Sequence, residues 1–266
     1  MTTPLAAAAE TAGRTAPALT LPPRTRLAMF LRLFAIQGSW NYELLLGPGI
    51  GFATEPGLRH LPGGPGGDAY QAALARQARY FNAHPYIAAL AVGALARAEL
   101  DGVPAAQIER FRTALCSPCG SIGDRLVWAG WLPFCSLLAL AAFGLGASAG
   151  VVLVVFLGVY NAGHVALRAW GMSTGWRLGM RVAPALGAPL LRYGPGYIAR
   201  AGALLAGVAI PLALRRVVDA DRLALAETGV AVALIMALLI RTHGRTEGWR
   251  IALAALALLS LYSVVR

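Results

Sequence analysis

Residues 127–167 contain no Asp, Glu, Lys or Arg. Two apolar spans of about 20 residues fit inside that run, enough for a helical hairpin across a bilayer. Val127–Leu145 makes the first and Ala149–Ala169 the second, with the Gly/Ala/Ser break at 144–150 as an uncharged turn. A helix of such length on a soluble core would need a polar face, and neither span has one. The chain is therefore expected to be an integral membrane protein. The segment Gly120-Ser-Ile-Gly-Asp124 is its most polar stretch of expected irregular backbone, placed where the chain meets the membrane.

Composition agrees. The apolar fraction is 58% and only 13% of residues are charged, with a mean hydropathy of +0.61. The net charge is +11, and all 23 basic residues are Arg. These arginines are scattered between apolar spans, with no recognition motif beside them, so nucleic acid is not the expected partner. Arg in the flanks of spans instead fits the cytoplasmic loops of a bacterial inner-membrane protein. Residues 1–24 are rich in Ala, Thr and Pro without an apolar signal core, and read as a disordered cytoplasmic tail. Three cysteines make no disulfide framework. Cys116-x-x-Cys119 lacks the two further ligands that zinc would need, so small-residue packing is the plainer role.

Taken in order, 25–36 is a short amphipathic helix suited to a membrane surface or a groove between helices. Gln37-Gly-Ser-Trp-Asn-Tyr-Glu43 alternates polar with aromatic side chains, fitting either a membrane interface or stacking on a sugar ring. Residues 47–67 concentrate Gly and Pro and read as loop. Asp68 can cap a helix over 69–81, which Asn82-Ala-His-Pro85 stops. The apolar run 86–98 is too short to span and suits a re-entrant segment. Pro104 opens an amphipathic helix over 105–115. Residues 25–125 thus form an amphipathic and re-entrant motif region, 126–170 the hairpin, and 171–196 an Arg-studded cytoplasmic linker. Residues 197–266 hold the C-terminal spans 197–214, 223–240 and 249–265. The fold class expected is all-α and membrane-integral, with about five transmembrane helices plus re-entrant and amphipathic helices. Arg placement puts the N-terminus in the cytoplasm.

Asp124 and Glu43 are the acidic groups expected near the membrane, where a carboxylate is costly and marks a functional site by default. A pair with Arg125 or a helix cap would equally explain Asp124. His84 before Pro85 could be a pH-sensitive group, a sugar ligand, a phosphoacceptor, or a histidine bonded to a neighbouring backbone. His164, inside a span, suits a helix-to-helix hydrogen bond. His60 and His243 read as solvated. No nucleophile elbow, P-loop, paired-carboxylate signature or HExxH occurs, and no metal or cofactor is implied.

Three stretches in order, Phe30-Leu-Arg-Leu-Phe-Ala-Ile-Gln-Gly-Ser-Trp-Asn-Tyr-Glu43, Ala78-Arg-Tyr-Phe-Asn-Ala-His-Pro-Tyr-Ile-Ala-Ala89 and Gly120-Ser-Ile-Gly-Asp124, resemble the enzyme IID component of mannose/fructose/sorbose-type sugar phosphotransferase systems. The resemblance covers roughly residues 25–180. It implies a membrane subunit that pairs with a IIC subunit in a hetero-oligomer and, with IIC, forms the translocation path for a hexose. Partner IIA and IIB proteins phosphorylate the sugar, and IID itself carries no catalytic histidine. By motif position it assigns the path to Gln37, Trp40, Asn41, Glu43, Asn82, His84, Gly120, Gly123 and Asp124. The chain departs from the family at Cys116 and Cys119, where small or apolar residues are usual, and at Arg125, where Pro is usual. The alternative is a non-transporting scaffold or regulator that binds phosphotransferase proteins.

Overall fold

The computed structural model describes residues 20–217, together with Ala237. Most of the expected tail and the spans at 223–240 and 249–265 lie outside the described residues. Among the described residues every regular element is helical, with only isolated bridges linking Asn41, Leu45 and Phe81. The helices are α1 (Pro23–Arg32), α2 (Gly47–Leu58), α3 (Asp68–Gln77), α4 (Ala88–Leu100), α5 (Ala105–Gly123), α6 (Leu132–Gly144), α7 (Ala149–Leu178), α8 (Ala183–Leu186) and α9 (Pro189–Val217). A π-helical stretch, Asp124–Trp131, joins α5 to α6. The described residues fall into two compact units: 20–136 with 154–203, and 137–153 with 204–217.

The first unit is built around α4. Every residue from Ala88 to Ala96 in that helix is buried. At about 1.5 Å per residue it is too short to cross a bilayer, and protein surrounds it instead. Its small residues let neighbours approach closely. A Cβ at Gly93 would overlap the backbone of Met172 and Trp176, and one at Gly175 the backbone of Leu90 and Ala94. Gly171-x-x-x-Gly175 on α7 is thus a small-residue crossing of the kind membrane helices use.

Helix α2 corrects the first part of the loop expected over 47–67, while 59–67 is turn and a short 3-10 stretch. Its glycines serve close packing rather than turning: a Cβ at Gly49 would land on the Ile36 carbonyl, and one at Gly47 on that of Arg79. Pro56 inside the helix cannot donate to the Phe52 carbonyl. Arg32 takes its place, donating from one Nη to Phe52 O at 2.9 Å and to Glu55 at 2.6 Å. Arg59 and Tyr70 also donate to Glu55. Burial pushes the Glu55 pKa up, but these bonds outweigh it and hold the carboxyl below its ordinary value.

A second polar network ties α3, α4 and α5 together. Arg76 forks onto Glu99 at 2.9 and 2.7 Å, and Gln77 donates to the same carboxylate at 2.6 Å. Arg112 then donates to the Gln77 side chain and to the carbonyls of Gln77 and Arg79, each at 3.0 Å. Gln77, Glu99 and Arg112 are all buried, and each is satisfied, as most buried polar groups are.

The expected irregular backbone around Gly120–Asp124 is also corrected. Ala105–Gly144 is continuous helix, widened into π geometry from Asp124. Gly123 is a packing residue: its missing Cβ is where His84 sits. The 171–196 region is largely helical too, since α7 runs through Leu178 and α9 begins at Pro189.

In the second unit the turn between α6 and α7 uses Gly146 at a φ of +99°. A Cβ at Gly144 would meet the backbone of Leu212 and Ala213 on α9. Arg216 donates to the Phe143 carbonyl at 2.6 Å, a cation at the C-terminus of α6. Across the described residues 3 helical stretches are long and apolar enough to cross a membrane: Ala105–Gly144, Ala149–Arg181 and Ala183–Val217. The all-α membrane architecture stands.

Candidate functional site

Within the first unit three segments converge on an open cleft of about 470 Å³. The 37–46 loop forms one wall. It is fastened to the 80–85 segment by Leu46 N donating to Phe81 O at 3.0 Å and Phe81 N to Leu44 O at 3.2 Å. Leu45 takes a φ of +50° at that seam, a local strain of order 1 kcal/mol. The facing wall is one stripe of α5 and the π stretch, in which Ser117, Gly120, Ser121, Asp124 and Trp128 recur three or four residues apart.

Of the residues expected from the motifs, Gln37, Trp40, Asn82, His84, Gly120 and Asp124 line this cleft. Gly123 lies behind it, against the His84 ring. Asn41 and Glu43 do not line it. The Asn41 side chain turns back on its own loop, accepting from the backbone N–H groups of Glu43 and Leu44 at 3.0 and 2.8 Å; it is a turn former. Glu43 is exposed.

His84 is buried. Its Nδ1 accepts from the Tyr86 backbone N–H at 3.2 Å, which leaves the ring proton on Nε2, buried and without a partner among the described residues. Tyr86 and Trp128 pack on the ring, with centroids at 4.9 and 5.1 Å. Burial first, and the Arg168 charge second, push its pKa down to about 4. It is a neutral donor at Nε2 whose Nδ1 lone pair is already taken by the Tyr86 N–H, a poor fit to phosphoacceptor chemistry and a good one to a hydroxyl acceptor. The ion pairs among the described residues join Arg32 and Arg59 to Glu55, Arg76 to Glu99, Arg79 to Glu109 and Arg97 to Asp101. Asp124 is in none of them, and Arg125 turns its Nε back to the Ser121 carbonyl at 3.2 Å.

Sequence reasoning missed Tyr80, and it missed Ser117, Ser121 and Trp128 because 120–124 read as irregular backbone rather than helix. On a helix, the spacing 117, 121, 124, 128 would have exposed the stripe. It also missed the cluster behind Tyr86. Arg168 is buried, donates to His164 Nε2 at 2.8 Å and to the Leu33 carbonyl, and lies over the Tyr86 ring at 4.8 Å. Tyr86 also stacks flat on His164 at 4.2 Å, and its hydroxyl meets that of Tyr160 at 2.6 Å. The helix-to-helix hydrogen bond expected of His164 is not what forms: its hydrogen bonds go to Asn161 and Arg168 of its own helix, and it meets Tyr86 by stacking. Arg168 caps the end of the helical segment from which the Gln37–Trp40 wall springs. Cys116 reaches the cleft, its thiol bonded to the Arg112 carbonyl, whereas Cys119 is buried. No cluster of metal-ligating side chains occurs among the described residues.

Comparison with known proteins bears on this arrangement. The chain is 28% identical over 172 residues to the PTS system mannose-specific EIID component of Escherichia coli K12, covering 62% of this chain and 59% of that protein. It is 29% identical over 171 residues to the sorbose-specific EIID component of Klebsiella pneumoniae, covering 62% of this chain and 61% of that one. The match therefore spans about three-fifths of the length of these relatives. Among solved structures, a chain of the complex of mannose transporter ManYZ with microcin E492 shares the fold. It has a TM-score of 0.55 and 20% identity, over 92% of this chain and 97% of that one. A solved membrane protein overlays with a TM-score of 0.62 and 24% identity, over 71% and 70% of the two chains. The sequence model of the PTS system mannose/fructose/sorbose family IID component matches residues 20–192, the stretch that contains the whole cleft, and the chain belongs to that family.

Proposed function

We propose that the chain is the IID-type membrane subunit of a sugar permease, pairing with a IIC-type subunit in the bacterial inner membrane, its N-terminus cytoplasmic. Its 470 Å³ cleft is part of the path of a hexose that IIA- and IIB-type partners phosphorylate, and the chain supplies no catalytic histidine of its own. The observation that carries this reading is the chemistry of the cleft wall. Gln37, Asn82, Ser117, Ser121 and a neutral His84 offer uncharged donors and acceptors, flanked by Trp40, Tyr80 and Trp128. That pairing of amides and hydroxyls with aromatic faces suits the two sides of a pyranose ring, and the volume lies in the range of small-molecule sites. The His84 Nδ1 lone pair is taken by the Tyr86 N–H at 3.2 Å and its Nε2 is buried, which argues against phosphate transfer through that side chain.

The test is uptake by a strain expressing the chain with its genomic neighbours of the phosphotransferase type. Asn82→Ala should cut sugar uptake at least about tenfold, the cost of one or two lost hydrogen bonds, with the membrane complex still recovered intact. Uptake equal to wild type in that variant would remove the cleft from the sugar path.

A further inference from the structure

We infer that Asp124 is the specificity residue of this cleft: its carboxylate turns away anionic sugars, such as sugar phosphates and uronates, and admits neutral ones. The inference rests on the sugar-cleft reading above and adds to it the class of ligand rejected.

The charges around the cleft make the case. Asp124 is the one acidic or basic side chain among the residues that line it, His84 being held neutral. An anion would need a cation to replace the water it loses; no Arg is among the residues that line the cleft, and the arginines around it each have a partner. Arg125 folds its Nε onto the Ser121 carbonyl. Arg112 is buried and bonded to Gln77 and to the Arg79 carbonyl. Arg79 pairs with Glu109 at 2.7 Å. Arg168, behind Tyr86, is engaged by His164 and the Leu33 carbonyl. The position of Asp124 strengthens its effect. It opens the π stretch and sits one turn before Trp128, which packs on His84. A ligand stacked on Trp128 and reaching His84 must therefore pass close to the carboxylate. A phosphate group carries about −1.5 to −2 charges at neutral pH, and within a few ångströms its repulsion by an exposed carboxylate such as Asp124 is worth about tenfold in affinity.

Cys116 gives a readout of the local field that needs no sugar, since its thiol lines the same cleft. Cationic and anionic thiosulfonate reagents of equal size are reacted with the detergent-purified full chain. Cys116→Ser supplies the background, and a free thiol the intrinsic ratio of the two reagents. The cationic reagent should be favoured about tenfold over that intrinsic ratio, and Asp124→Asn should bring the preference back toward the free thiol. A wild-type ratio equal to that of the free thiol, or one that Asp124→Asn leaves in place, overturns the inference. In a second arm, binding of a neutral hexose is compared with that of the matching uronate and 6-phosphate. The anions should bind at least about tenfold more weakly, and Asp124→Asn should narrow the gap whatever it does to neutral affinity. Equal binding of all three by wild type also overturns the inference. Reagent ratios as expected with no sugar bound would overturn the sugar reading while leaving the charge assignment intact.

Discussion

At the residue scale, two pairs of positions that look alike in the sequence do different jobs. Gly120 and Gly123 belong to one motif, yet a Cβ at Gly120 would come no closer than 4.0 Å to Ala83, whereas one at Gly123 would fall into the His84 side chain. Gly123→Ala should therefore destabilise the protein by about 1–3 kcal/mol and disturb His84, while Gly120→Ala leaves the melting temperature near wild type. Equal melting temperatures for the two variants would sink this account of the motif. Asn41 and Asn82 were equally eligible as ligands; only their partners separate them, and side-chain direction in a loop is not written in residue type. His84 yields a pH prediction. Its folded pKa of about 4 lies below the unfolded value of 6.5, so between those values the unfolded chain binds the extra proton. Stability is then fully present above about pH 6.5 and falls as pH drops toward about 4, by up to about 3 kcal/mol. Denaturation of wild type and His84→Gln across that range should show the slope only in wild type, once the shared loss from carboxylates such as Glu55 is subtracted.

At the scale of elements, the sequence reading succeeded where periodicity and length dominate and failed where glycine was ambiguous. The apolar spans were legible because charge is absent from 127–167. Helix α2 was not, because Gly and Pro signal a turn unless a partner helix needs the space they leave and a side chain such as Arg32 replaces the hydrogen bond that Pro56 cannot make. Nor was the network joining α3, α4 and α5 legible, since Arg76, Gln77, Glu99 and Arg112 are far apart in sequence and each reads as surface. Arg112→Met would keep the apolar stem but leave Gln77 Oε1 and two carbonyls without donors. That should cost upwards of about 3 kcal/mol. Arg79→Ala breaks an exposed pair with Glu109 and should cost less than about 1 kcal/mol. Comparable losses in the two variants, measured by melting in one detergent, would show that the buried network does not hold these helices together.

At the scale of the whole molecule, the length of α7 makes a testable statement about which parts of the chain share a side of the membrane. Its 30 residues reach about 45 Å, against a hydrocarbon core of about 30 Å, so the helix is long enough to cross fully, and a crossing helix brings its two ends out on opposite faces. Ser148 precedes its first residue, and Gly187 lies beyond the end of α8, in the connection to α9. Under the proposed orientation the 179–188 connection is cytoplasmic: Arg177 and Arg181 near the second end favour that side, against Arg216, which reaches the Phe143 carbonyl beside the first. In a full-length chain with its native cysteines replaced, Ser148→Cys should react with a membrane-impermeant thiol reagent applied to intact cells. Gly187→Cys should react only after the cells are opened. Labelling of both from outside would mean that α7 does not span. The reverse pattern would keep the span and invert the protein, moving the opposite end of α7 to the cytoplasm.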